Sequence, residues 1–95
     1  MPKLVGRVGA PTDTVGGVPL MTPLYPTVTV GGLPIAVVGT PVTPHGSGPH
    51  AAAKMAVGSP LVWVGAAKTP VCGTGDTATC VHPLIVGPDA KVFIG

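Results

Sequence analysis

Three short segments of the chain carry nearly the same pattern, a run of β-branched or aromatic residues closed by glycine. They are 26–31 (Pro-Thr-Val-Thr-Val-Gly), 60–65 (Pro-Leu-Val-Trp-Val-Gly) and 90–95 (Ala-Lys-Val-Phe-Ile-Gly). Such runs predict short β-strands that end in turns. The segments follow one another at 34 and 30 residues, which is close to a fixed period. The chain is therefore expected to be an all-β, pseudo-symmetric object built from one small repeated unit.

A second phrase is also repeated. Segment 6–11 (Gly-Arg-Val-Gly-Ala-Pro) resembles 36–41 (Ala-Val-Val-Gly-Thr-Pro), and 70–76 is a looser copy. Each copy contains a glycine followed by a small residue, which predicts a turn that reverses the chain. Segment 51–57 is the only run of good helix formers without a breaker. Two turns of helix and an extended arm are both open there, because seven residues are few for a stable helix.

The alternation within the repeated strands predicts which side chains face the core. Thr29, Trp63 and Phe93 are expected to point outward, and the aliphatic residues beside them inward. The inward set is Val28, Val30, Val62, Val64, Val92 and Ile94. An outward aromatic side chain on a small domain either contacts a partner or is covered by a neighbouring loop, and both interpretations stay open.

Composition narrows the function classes. Ninety-five residues predict one domain, 1–95, with a core of small aliphatic side chains because the chain has one Trp, one Tyr and one Phe. A net charge of +2 argues against nucleic acid as a partner. Apolar stretches are cut well short of the roughly 20 residues that span a bilayer. Because no signal peptide is visible after Lys3, synthesis in the cytosol is expected. Glycine lacks the three-residue period of collagen, and 45% hydrophobic content predicts a folded chain.

Candidate chemistry lies in five residues, His45, His50, Cys72, Cys80 and His82. Three imidazoles and one thiolate satisfy tetrahedral zinc, whose preferred ligands are nitrogen and sulfur. The flexible linker 46–49 (Gly-Ser-Gly-Pro) allows the first two histidines to turn toward one centre. Cys80 and His82 would lie on one face of an extended segment. The pattern therefore predicts a zinc site, with solvated loop histidines as the plainer alternative.

Two further interpretations concern the cysteines and the acids. A Cys72–Cys80 disulfide is possible by spacing, although cytosolic synthesis disfavours it, and Cys72 is otherwise a small buried hydrophobe. Asp13, Asp76 and Asp89 are the only carboxylates, each in a context typical of turn-forming residues. No oxyanion motif or aromatic-lined pocket accompanies them. The chain is therefore expected to be no enzyme, with no catalytic residue and no small-molecule substrate.

The repeated phrases resemble those of PAAR-repeat proteins. Segment 33–41 (Leu-Pro-Ile-Ala-Val-Val-Gly-Thr-Pro) is similar to the family's Lys-Pro-Ala-Ala-Arg-Val-Gly-Asp-Pro phrase. Segment 58–65 (Gly-Ser-Pro-Leu-Val-Trp-Val-Gly) is similar to its Gly-Ser-Pro-Thr-Val-x-Ile-Asn-Gly phrase. The resemblance runs in order along essentially the whole chain. It identifies a divergent member, since Val37 stands where the family has arginine, and Arg7 alone retains it in the N-terminal copy.

The resemblance also implies a ligand set. The family commonly has His-Gly-Gly after the first turn, where this chain has Val-Gly-Gly at 15–17. His50, Cys80 and His82 match ligand positions of the family, and His45 is expected to replace the missing histidine. The implied Zn²⁺ site is therefore His45, His50, Cys80 and His82, and completion of the site by Cys72 in place of His45 stays open.

The implied fold is a small cone of short β-hairpins with pseudo-threefold symmetry and a zinc-stabilised apex. In the family such a tip, one per trimer, caps and sharpens a trimeric β-helical spike, and it touches the target outer membrane transiently. The expected location is the virion, in a phage tail baseplate, after assembly in the bacterial cytoplasm. Alternatives are a tip secreted through a type VI system, a free-standing zinc-binding adaptor, and a small zinc hydrolase with an open coordination position. No effector domain is expected.

Overall fold

The computed structural model describes residues 3–10, 12–59, 62–87 and 92–94. Within these ranges the chain is all-β, as the sequence predicts, with one short 3₁₀ turn at Gly48–His50. None of the described helical segments is long and apolar enough to cross a membrane. The strands are Lys3–Leu4 (β1), Thr14–Val15 (β2), Val18–Pro19 (β3), Thr29–Val30 (β4), Leu33–Pro34 (β5), Trp63–Val64 (β6), Thr69–Pro70 (β7), Leu84–Ile85 (β8) and Phe93–Ile94 (β9).

The strands pair into small antiparallel sheets. β4 pairs with β5 and β6 pairs with β7, each through a local hairpin, whereas β9 pairs with β1 from the other end of the chain. The fourth sheet has three strands in the order β3-β2-β8. Each of the three repeated sequence segments thus supplies one strand of its own two-stranded sheet. Residues 60, 61, 90, 91 and 95 of those segments lie outside the described part of the chain.

A closed ring of three backbone hydrogen bonds joins the copies of the second phrase. The Gly6 N–H donates to the Cys72 carbonyl at 3.0 Å, and the Cys72 N–H donates to the Ala36 carbonyl at 2.9 Å. The Ala36 N–H completes the ring by donating to the Gly6 carbonyl at 2.9 Å. Three segments that are far apart in sequence therefore meet at one point and satisfy one another's backbone groups.

The same contacts recur around this ring in all three copies. Residues 5, 35 and 71, which precede the ring residues, each donate to the residue just before one of the repeated strands β9, β4 and β6. These bonds are Val5 N–H to Val92 O, Ile35 N–H to Val28 O and Val71 N–H to Val62 O, at 2.9, 2.9 and 3.0 Å. Beyond the ring, Gly9, Gly39 and Gly75 turn the chain with φ of +92°, +95° and +93°. The looser copy at 70–76 is therefore structurally equivalent to the other two.

Buried side chains form two apolar clusters on alternating positions of the ring segments. Ala36 and Cys72 belong to the first cluster, and their neighbours Val37 and Val71 belong to the second. The first cluster also contains Cys80, Val15, Met55 and Leu84. The second packs against partly buried residues of the repeated strands, Val28, Val30, Val62 and Val64. The extents are 31 × 29 × 26 Å, and the conical outline stays a prediction.

The predicted alternation holds with one exception. Thr29, Trp63 and Phe93 are exposed, the two aromatic side chains by 50% and 61%. The four valines of β4, β6 and the residues before them are half-buried, and Ile94 is buried. Val92 is exposed, which contradicts its predicted inward position. The third copy reaches the second cluster through Ile94 instead.

Segment 51–57 adopts the extended alternative. Lys54 and Met55 form bridges with Pro41 and Ala78, respectively. The Met55 N–H donates to the Thr40 carbonyl at 2.9 Å, and its side chain is fully buried. Burial of this large side chain in the first cluster outweighs the local preference for a short helix.

Candidate metal centre

The structure brings together the four side chains of the predicted ligand set. One ligand atom from each of His45, His50, Cys80 and His82 lies within 4.8 Å of all the others. His45 Nε2 is 3.1 Å from His82 Nδ1 and 3.3 Å from His50 Nδ1. The Cys80 Sγ lies 3.7 Å from both His45 Nε2 and His82 Nδ1. Four soft or borderline donors therefore face one point.

A pinched loop presents the first two histidines. The His45 N–H donates to the His50 carbonyl at 3.1 Å, so the backbone closes on itself between them. The 3₁₀ turn Gly48–His50 follows Ser47, and Gly48 adopts φ of +64°, which glycine allows without a steric penalty. The flexible linker predicted from the sequence thus folds back as expected and turns both imidazoles to the same side.

A tight turn, rather than an extended segment, presents Cys80 and His82. The Ala78 N–H donates to the His82 carbonyl at 3.1 Å, and the Val81 N–H donates to the Ala78 carbonyl at 2.9 Å. Val81 lies between the two ligands with φ of +71° and is 77% exposed. The sequence-based reason for their shared orientation was wrong, although the outcome was right. Backbone hydrogen bonds hold a left-handed residue here, which a residue pattern does not indicate.

The orientation of His45 is set by a backbone contact. Its Nδ1 is 2.9 Å from the Thr43 carbonyl oxygen, which can only accept a hydrogen bond. Nδ1 therefore carries the proton, and the lone pair of Nε2 points toward the other three ligand atoms. A carbonyl partner on the far ring nitrogen is the usual way in which proteins orient a metal-binding histidine.

Cys72 lies outside this cluster. It is fully buried, and its Sγ–H donates to the Val57 carbonyl at 3.1 Å. Burial, assisted by the charge of Asp76 and opposed by Lys3, raises the pKa of the Cys72 thiol to about 12. It is therefore protonated at neutral pH and unsuited to bind a metal as thiolate. Both cysteines are free, so the disulfide alternative is wrong.

The acidic residues that the structure describes also lie apart from the cluster. Asp13 is fully buried and pairs with Arg7, and Asp76 pairs with Lys3 at 2.6 Å. Both close turns, as predicted, but each also neutralises a cation. Asp89 lies outside the described residues. Among the described residues, the candidate centre therefore has only nitrogen and sulfur donors.

Gly16 belongs to this site, and the sequence-based prediction missed it. A Cβ at Gly16 would lie 2.4 Å from His82 Nδ1 and 2.7 Å from His45 Nε2. The turn between β2 and β3 is therefore packed against the two imidazoles. The glycine pair at 16–17 was notable in the sequence only for its resemblance to a His-Gly-Gly phrase, and nothing in that resemblance indicated this contact.

Comparison of the chain with protein-family models found no match, and comparison with curated proteins found no significant match. The candidate site consequently rests on geometry and chemistry. Its donor atoms converge, the Thr43 carbonyl orients the His45 ring, and the buried Cys80 lies in the first apolar cluster. This arrangement can hold a metal ion.

Proposed function

We propose that this protein is the zinc-stabilised tip of a contractile injection machine, where one copy caps the end of a trimeric β-helical spike. The observation that carries the proposal is the closed ring of hydrogen bonds between Gly6, Ala36 and Cys72. The same hydrogen bonds and glycine turns recur around each of the three ring residues, which supports a pseudo-threefold arrangement. A single chain with three similar faces is what the end of a threefold partner requires.

Three exposed side chains at equivalent positions support the docking face. Thr29, Trp63 and Phe93 each follow the residue whose carbonyl accepts the bond from the ring segment. They lie on two-stranded sheets, which leave strand edges available for pairing with a partner. Each spike subunit would add backbone hydrogen bonds to one sheet and cover one of these side chains. Lys68, whose Nζ is 5.9 Å from the Trp63 ring, covers part of that aromatic surface.

The distances between ligand atoms support zinc as the metal. Zn–N bonds of about 2.0–2.1 Å and Zn–S bonds of about 2.3 Å give tetrahedral edges of about 3.3 Å between nitrogens and about 3.6 Å between nitrogen and sulfur. Four of the six distances here are close to these edges, at 3.1 and 3.3 Å between nitrogens and twice 3.7 Å between nitrogen and sulfur. The other two, both from His50, are no longer than 4.8 Å. Four protein ligands match a structural zinc site, which has no open position for a substrate.

Zinc would contribute stability by linking two segments that are far apart in the sequence. It would join loop 45–50 to turn 78–82, neither of which contains a strand. Because metal binding free energy adds to folding free energy, these loops would be held rigidly. A rigid, inert end suits a mechanical role as the cap of the spike. In this proposal the protein is assembled in the cytoplasm and is then part of the virion.

The proposal is tested by coexpressing the chain with a trimeric β-helical spike protein of a contractile tail and measuring the complex by native mass spectrometry. We expect one chain per trimer. Trp63→Ala and Phe93→Ala should each weaken binding about tenfold or more, as removal of an interface aromatic does.

Ile85→Ala is the matched control, because Ile85 is 58% exposed, like Phe93 at 61%, but lies on the separate sheet of β8. It should leave binding unchanged. No complex with any such spike, or equal losses in all three variants, would contradict the proposal.

A further inference from the structure

The turn between β2 and β3 contacts the candidate metal centre without contributing a side chain to it. Gly16 is its first glycine, with φ of +63°, and the atoms nearest to a Cβ added there are His82 Nδ1, His45 Nε2 and His45 Cδ2. All three distances are below 3.0 Å, at 2.4, 2.7 and 2.9 Å. Real Cβ atoms do not approach other heavy atoms so closely, so the present ligand geometry exists only with glycine at this position.

We infer that Gly16 is a positioning residue that closes the coordination sphere of the metal. This inference rests on the proposed metal-binding role of the four ligands. The backbone at Gly16 lies against the two ligand nitrogens, His45 Nε2 and His82 Nδ1, which are themselves 3.1 Å apart. It therefore fills the side of the centre that the loop 45–50 and the turn 78–82 leave open. A fifth ligand, such as water or a substrate, is excluded from that side.

A methyl group at position 16 has a specific expected effect. The clashing atoms belong to imidazole rings, which can rotate, and not to backbone. The fold should therefore survive, while one or both rings turn away from the metal. The ion would then lose a ligand or gain a water molecule in its place, which changes a closed structural site into an open one.

The chain contains a matched control for the backbone strain. Gly31 is the first glycine of the turn between β4 and β5, with φ of +60°, and a Cβ there would meet nothing within 4 Å. Gly17 follows Gly16 in the same turn with φ of +86° and is equally open. Gly31→Ala and Gly17→Ala therefore impose a similar left-handed strain without the contact to the ligands.

The test is titration of the metal-free protein and its variants with Co²⁺, followed by competition with Zn²⁺. We expect the unaltered chain to show the intense visible bands of four-coordinate cobalt with a thiolate ligand. Gly16→Ala should bind both ions about 10- to 100-fold more weakly, the range seen when the groups that orient metal ligands are changed. Its cobalt bands should weaken as a fifth ligand enters. Gly31→Ala and Gly17→Ala should keep the affinity and spectrum of the unaltered chain.

Each other outcome has a definite meaning. If Gly16→Ala binds like Gly31→Ala, the inference is wrong while the metal site stands. If the unaltered chain binds neither ion, the metal site itself is wrong. Thermal unfolding of the metal-free variants supplies the fold control, with equal melting temperatures expected for Gly16→Ala and Gly31→Ala. A Gly16→Ala chain that fails to fold where Gly31→Ala folds would overturn the inference, because rotation of the rings would then not relieve the clash.

Discussion

Asp13 is a fully buried carboxylate that accepts hydrogen bonds from two segments of the chain. Its two carboxylate oxygens accept hydrogen bonds from Arg7 N–H and Nε–H at 2.9 Å, from Arg7 Nη2–H at 2.8 Å and from Gly87 N–H at 2.9 Å. In the other two copies the Val37 N–H donates to Thr40 Oγ1 at 3.1 Å, and the Gly73 N–H donates to Asp76 Oδ2 at 2.8 Å. A polar side chain thus closes each turn, but only Asp13 does so as a fully buried ion pair.

The ionisation of Asp13 should make the protein acid-sensitive. Burial by itself raises the pKa of this carboxyl, but the hydrogen bonds from Arg7 and Gly87 and the charge of Arg7 together lower it below its ordinary value. The ionised form is therefore favoured in the folded state. Its contribution to stability is complete above the unfolded pKa, about 3.9, and is lost as the pH falls through the lower folded pKa.

Asp13→Asn should destabilise the protein by about 3–5 kcal/mol at neutral pH, since it removes the carboxylate that neutralises the buried Arg7 charge. Urea unfolding of the metal-free protein from pH 7 to pH 2 measures both effects. The difference in free energy of unfolding between the unaltered chain and Asp13→Asn should shrink below about pH 4, because the carboxylate of the unaltered chain is then protonated. A constant difference across this range would show that Asp13 acts through shape alone.

Among the secondary-structure elements, the three turns beyond the hydrogen-bonded ring are the clearest repeated feature. Gly9, Gly39 and Gly75 share φ values between +92° and +95°. A Cβ at Gly9 or Gly75 would meet nothing within 4 Å, whereas at Gly39 it would lie 3.3 Å from Leu24 Cδ1. Glycine is required at the first two positions by backbone conformation, and at the third by conformation and contact together.

Gly9→Ala and Gly75→Ala should therefore lower the free energy of unfolding by similar amounts, about 1–2 kcal/mol each, the cost of a left-handed backbone for a residue with a Cβ. Gly39→Ala should cost more, because Leu24 must also move. Urea unfolding at constant zinc concentration measures the three values. A neutral effect at Gly9 or Gly75 would show that the turns are not equivalent in energy.

Local pattern was sufficient to locate these elements. The repeated strands β4, β6 and β9 appear where runs of β-branched and aromatic residues end in glycine, because strand and turn preferences act over a few residues. The pairing of β9 with β1 is different, since it joins the two ends of the chain. Nothing in either segment specifies that partner. The exposure of Val92 is likewise decided by which residues pack nearby and not by alternation.

For the molecule as a whole, the metal centre would cross-link parts of the chain that the strands do not join. Purified protein should contain about one zinc per chain. Zinc at a thousandfold excess over its dissociation constant should raise the free energy of unfolding by about 4 kcal/mol, since it binds only the folded state. Mg²⁺ should have no effect, because it prefers oxygen ligands. Thermal unfolding with and without a chelator measures this gain.

Cys80→Ser should abolish most of the stability that zinc adds, whereas Cys72→Ser should retain it. Cys72 is the matched control because it is also buried, but its thiol donates to the Val57 carbonyl, a role that a serine hydroxyl can fill. Metal content measured on both variants separates loss of zinc from general destabilisation. Unchanged stability of the unaltered chain on chelation would contradict the zinc assignment.

The residue types and their spacing, with the family resemblance, were enough to predict an all-β chain, its repeated strands and the four members of the candidate metal cluster, His45, His50, Cys80 and His82. These follow from short-range chemistry: β-branched runs favour strands, glycine allows turns, and imidazole and thiolate bind the same metals. The tertiary structure alone decided how the three copies meet in a ring, that Cys72 is excluded from the site, and that Gly16 is packed against two ligands. Those outcomes depend on contacts between segments far apart in sequence, where excluded volume and burial act on positions that no local pattern encodes.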